Sequence, residues 1–141
     1  MKMPVLTGVL YLGTLLLSSG SSAALAQGQV TPGRVTNVKC KDSPSHSYTC
    51  YVPSKYKASK KWPILYCYSP NGDGKLFVDF YRQVCEEVGW IVVGSNDVRA
   101  GMHPGKAVNA MFKDTVQRFS LDLKGKRCYA SGFSAGAPTS T

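Results

Sequence analysis

Arg127-Cys128-Tyr129-Ala130-Ser131-Gly132-Phe133-Ser134-Ala135-Gly136 is the run from which the rest of the chain can be organised. Arg127 to Ser131 suits a strand, and Lys124-Gly125-Lys126 before it suits the turn that feeds it. Gly132-x-Ser134-x-Gly136 then fits a sharp bend that lifts a serine hydroxyl clear of a sheet. Glycines flank the serine because neighbouring backbone leaves no room for side chains there. Ala135, Gly136 and Ala137 are small enough for a helix packed close to a sheet. Pro138 is tolerated in a first helical turn, where its missing N–H has no partner, although it restricts Ala137. A plain Gly/Ser loop could carry the same letters. The strand–bend–helix context is what gives the pattern meaning.

Upstream, apolar strands alternate with amphipathic helices. Arg34–Lys39 and Ser47–Val52 read as two strands joined by a turn over 41–46, with Tyr48, Cys50 and Val52 alternating against Thr49 and Tyr51. Pro63 to Tyr68 is a continuous apolar run, as expected of a strand covered on both faces. Ser69-Pro70-Asn71-Gly72-Asp73-Gly74 breaks it with turn chemistry. Lys75–Val88 is predicted helical, with Leu76, Phe77, Phe80, Tyr81, Val84 and Val88 as its apolar side and Gly89 as its C-cap. Trp90–Gly94 is a second buried strand. Lys106–Phe119 is a second helix with a stripe of Val108, Met111, Phe112, Thr115 and Phe119. Strand, helix, strand, helix, strand implies an α/β fold, with a mostly parallel sheet between helices.

Residues 1–26 have the form of a secretory signal. Lys2 is followed by an apolar run from Val5 to Leu17 and by Ala24-Leu25-Ala26, which fits a cleavage site before Gln27. The expected destination is secreted or periplasmic, with no stable membrane anchor after cleavage. The chain carries 17 Lys and Arg against 8 Asp and Glu, a formal charge of +9. The basic residues are dispersed apart from Lys55, Lys57, Lys60 and Lys61, which read as a solvated turn. No nucleic-acid motif accompanies them, and export argues further against a nucleic-acid role. Five cysteines are present. Cys40 and Cys50 could bridge adjacent strands, whereas Cys67 and Cys128 suit buried free thiols. Their spacing suggests no metal site, and no cofactor is expected.

With these elements in place, the chain resembles the α/β-hydrolase superfamily over about residues 34–137. It is most similar to secreted bacterial esterases related to polyhydroxybutyrate depolymerases and to feruloyl or acetylxylan esterases. The resemblance rests on Pro63–Ser69, Gly89–Asn96, the helix Ala107–Phe119 and Lys126–Gly136. It implies that 27–141 is an incomplete α/β-hydrolase domain ending at its nucleophile elbow. It makes Ser134 the nucleophile and an ester, free or polymer-linked, the substrate. Ala135 is expected to supply one backbone N–H of the oxyanion hole. The loop after Tyr68 is expected to supply the other. Many relatives carry His-Gly there, whereas this chain has Ser69-Pro70, so Asn71 and then Gly72 are the candidate donors.

In this superfamily the acid and the histidine follow the serine. No Asp, Glu or His follows Ser134 here. The resemblance therefore implies a chain that looks truncated and is inactive alone. His103, in the loop after the second core strand, is the nearest substitute for a base, with His46 behind it. Asp97 reads as a loop or capping residue and Asp114 as part of the polar face of its helix. The alternative to a hydrolase is a secreted non-catalytic basic module that binds an anionic glycan or an envelope component.

Overall fold

A computed structural model describes residues 28–134 of the chain. The signal-like segment 1–26 and Ala135 onward lie outside the described residues. The elements run β1 (Val35–Cys40), β2 (Ser43–Tyr51), β3 (Ile64–Tyr68), α1 (Gly74–Val88), β4 (Ile91–Ser95), α2 (Gly105–Arg118) and β5 (Cys128–Gly132). They form one five-stranded sheet in the order β1-β2-β4-β3-β5. β4, β3 and β5 are parallel, and β2 joins β4 antiparallel with β1 outside it. The sheet is a parallel core with an antiparallel pair on one flank.

Every core element expected from the sequence is present, within a residue or two at its ends. The largest boundary change is in β2. The turn expected over 41–46 shrinks to Lys41-Asp42, because Cys40 pairs with Ser43. β2 meets β4 only from Tyr48 onward. Pro44 therefore sits where the strand has one neighbour and its missing N–H costs little.

The chain steps from β3 to β4 in one direction and from β4 back past β3 to β5 in the other. Right-handed crossovers then put α1 and α2 on opposite faces. The α2 face carries the larger core, including Tyr48, Ile64, Tyr66, Ile91, Val93 and Met111. The α1 face carries Tyr51, Cys67, Val78, Cys85 and Val92.

The rotation of α1 about its own axis departs from the expected stripe. Val78 and Cys85 point into the sheet, while Leu76, Phe80, Val84 and Val88 are exposed, Phe80 by 74%. Two contacts set this rotation. Gly74 lies so close to Gly94 that a Cβ on either would stand within 2.2 Å of the other's carbonyl oxygen. Near the other end, Glu86 accepts from Tyr51 Oη and Ser54 N, both at 2.8 Å, and from Ser54 Oγ. The row at i, i+4, i+8 is thereby turned sideways. Phe80→Lys is therefore expected to leave the melting temperature unchanged, since exposed substitutions usually cost within about 0.5 kcal/mol. A drop of several degrees would show instead that Phe80 is packed.

The cysteines also correct an expectation. Cys50 pairs with Thr36 and Cys40 with Ser43. At about 3.4 Å per residue the two thiols are offset by on the order of 13 Å, well past the reach of a disulfide. All five cysteines are free, and Cys40, Cys50, Cys67 and Cys85 are buried. Burial pushes the Cys50 and Cys67 thiols up to about 12, where they are protonated and inert.

Candidate active site

Ser134 sits where β5 leaves the sheet. β5 runs parallel to β3 with Gly132 beside Tyr68, and Phe133 N donates to Tyr68 O at 3.3 Å. That bond holds the end of β5 and the loop after β3 side by side at the carboxyl ends of the parallel strands. Open α/β sheets bind ligands at that edge. Ser134 is exposed and has φ +52°, one of two non-glycine residues with positive φ among those described. A side chain in the left-handed region costs about 1–2 kcal/mol, so it persists only where its surroundings impose it.

The neighbouring loop is built from its own polar groups. Ser69 is buried, and its Oγ accepts from Asp73 N at 2.7 Å. Asp73 in turn caps α1 by accepting from Leu76 N at 3.0 Å. Gly72 has φ +67°, and a Cβ there would stand 2.5 Å from Asn96 O, so only glycine fits. Its N–H makes a long 3.5 Å bond to Ser69 O. Asn71 is exposed, and no acceptor meets its N–H among the described residues. Asn71 is bridged to Arg99, and Ala100 N donates to Pro70 O at 2.8 Å, which ties the loop after β4 to this edge. Asn71, Gly72 and Ser134 thus lie at one edge, while Ala135 is outside the described residues.

His103, Asp97 and His46 each have local contacts of their own. His103 is exposed, and its Nδ1 accepts from Gly105 N at 3.4 Å. Asp97 accepts from Ser47 N at 2.6 Å and lies 3.6 Å from His46 Nδ1. His46 belongs to β2, three strand spacings from β5. That is on the order of 14 Å, far beyond the ~3 Å of a direct proton transfer.

Asp114 corrects a second expectation, since it is not on a solvated face of its helix. It is 4% exposed and accepts from Tyr48 Oη at 2.6 Å, Lys41 N at 2.8 Å and Arg118 Nε at 3.0 Å. Burial alone would raise its pKa, but the hydrogen bonds from Arg118, Lys41 N and Tyr48 prevail and hold it below the usual aspartate value.

The lysine-rich turn lines a surface groove with Trp62, but Glu86 and Glu87 line it too. Lys60 is already placed over the Trp62 ring, 4.7 Å from its centre. The charge in that groove is therefore largely balanced. No helix among the described residues is long and apolar enough to cross a membrane.

No family model matches the sequence, and no curated protein matches it. Solved structures do match the fold. An acetyl xylan esterase from Aspergillus awamori superposes over 74% of this chain and 44% of its own, with TM-score 0.55 and 20% identity. A ferulic acid esterase covers 76% of this chain and 51% of its own, with TM-score 0.54 and 16% identity. A thermostable esterase covers 73% and 34%, with TM-score 0.53 and 14% identity. The chain spans about a third to a half of the length of these proteins. At such identities the likeness concerns backbone arrangement. The described residues carry part of an α/β-hydrolase fold, the portion that solved esterases share with this chain.

Proposed function

We propose that this chain is the nucleophile-bearing part of a secreted serine ester hydrolase. One observation carries the reading. Ser134 has a left-handed φ at the carboxyl end of β5, a parallel strand on the edge of the described sheet, beside a loop whose Asn71 N–H meets no acceptor among the described residues. In this mechanism Ser134 Oγ attacks the ester carbonyl once a base has taken its proton. Negative charge then develops on the former carbonyl oxygen. The Ala135 N–H and the Asn71 N–H, with Gly72 as the alternative, receive it. Each such donor lowers the barrier by about 3–4 kcal/mol. Among the described residues no hydrogen bond joins Ser134 to a histidine, and the one histidine–carboxylate contact is His46 with Asp97. Ser134 needs a base, and an acid to orient it, before it can react.

Labelling with a fluorophosphonate probe tests this reading. A longer version of the chain that includes downstream coding sequence should label, and Ser134→Ala should abolish the signal. A folded longer version that does not label would defeat the proposal. The same position gives a stability readout. Ser134→Gly is expected to be about 1 kcal/mol more stable than Ser134→Ala, because glycine removes the left-handed penalty. Equal stabilities, measured by urea unfolding, would mean that the bend is not imposed by the fold.

A further inference from the structure

The loop after β4 brings a guanidinium to the edge where Ser134 stands. Arg99 is bridged through its backbone to Asn71, and its side chain lies back across Gly72. A Cβ built on Gly72 would stand 3.2 Å from Arg99 Nε. Arg99 is exposed, and among the described residues no carboxylate lies within 4.0 Å of it. The two nearby acids are committed elsewhere, Asp73 to Leu76 N and Asp97 to Ser47 N. The result is an uncompensated positive charge, held against the loop that adjoins the elbow.

We infer that Arg99 is a specificity-determining residue that holds a carboxylate carried by the substrate, so that the ester taken by this site has an anionic group near its scissile bond. The inference rests on the reading of Ser134 as the nucleophile. A guanidinium presents two parallel N–H donors that match a carboxylate, and a charged hydrogen-bonded pair is roughly twice as strong as a neutral one. The geometry favours a local contact over diffuse attraction, because Arg99 is held at its backbone and its Nε lies close to Gly72. Lys106, also exposed and without a carboxylate partner among the described residues, follows the same loop and provides the comparison.

The test uses the full chain labelled with nitrogen-15 and two small esters, monomethyl succinate and its neutral twin dimethyl succinate. Monomethyl succinate is expected to shift the amide signals of Gly72 and Ala100 and to bind at least about fivefold more tightly than the neutral ester, as a charged pair predicts. Arg99→Gln should remove that preference and leave dimethyl succinate unaffected, Arg99→Lys should retain part of it, and Lys106→Gln should retain it all. Equal binding of the two esters, no binding of monomethyl succinate, or equal losses in Arg99→Gln and Lys106→Gln would each overturn the inference. A charge preference in a chain whose longer version fails to label retires the nucleophile reading alone. Labelling without a charge preference retires the role of Arg99 alone.

Discussion

Gly94→Ala is expected to destabilise the protein by about 3 kcal/mol, the upper end of what overpacking a core costs. The added Cβ would stand 2.2 Å from Gly74 O and 2.7 Å from Gly74 C and Cα. All three obstructing atoms are backbone, so no side chain can swing aside. The start of α1 would have to lift from β4. Because α1 follows the Ser69–Asp73 loop directly, that loop would move with it, and the edge beside Ser134 would change shape. Gly74→Ala should behave alike, with its Cβ 2.1 Å from Gly94 O. The double variant should cost less than the sum, since one displacement accommodates both. Chemical denaturation measures this. A loss below about 1 kcal/mol for Gly94→Ala, at unchanged denaturant dependence, would show that the helix is not seated as described.

Asp114→Ala should have an effect of similar size, by a different route. Asp114 ties three parts of the molecule together: Tyr48 of β2, the β1–β2 turn through Lys41 N, and Arg118 one turn further along α2. Removing the carboxylate leaves the Tyr48 hydroxyl without its acceptor and leaves Arg118 with Gly28 O, to which its Nη1 donates at 3.2 Å. Breaking a buried pair from one side typically costs about 3–5 kcal/mol. Arg118 is 27% exposed and can recover some hydration, so about 3 kcal/mol is expected here. Tyr48→Phe should cost less, about 1.5–3 kcal/mol for one hydrogen bond to a charged group.

The same carboxylate predicts an acid limb. Its folded pKa is held below the ordinary value of 3.8, so its contribution is complete above that value and disappears as pH falls through the folded pKa. Wild type should lose stability steeply below about pH 4, and Asp114→Ala should lose less over the same interval. Parallel pH profiles for the two proteins would refute the assignment.

Much of the arrangement was legible in the residues. Unbroken apolar runs such as Ile64–Tyr68 and Ile91–Val93 are compatible with strands covered on both faces. Alternation with two helices then leads to a parallel core. The strand that leads to Ser134 was legible for the same reason, and the positive φ at Ser134 agrees with a bend after it. The rest depended on contacts between segments far apart in the chain. Asp114 and Tyr48 are separated by 66 positions, and Glu86 and Tyr51 by 35. No local pattern announces such pairs. The helical period of Asp114 even pointed the wrong way, because a polar residue facing the sheet is hidden by the usual rule that polar faces are wet.

The sequence by itself determined the order of elements, the strand that ends at Gly132 and the loop after β3 that stands beside it. These follow from period, from glycine and proline sterics, and from the short range over which they act. The tertiary structure decided which row of α1 meets the sheet, that Cys40 and Cys50 are offset rather than bridged, and that Arg99 lies across Gly72. Each of those depends on register or on rotation about an axis. Such quantities are set by close approach between distant backbones, as at Gly74 and Gly94, and not by the composition of either segment.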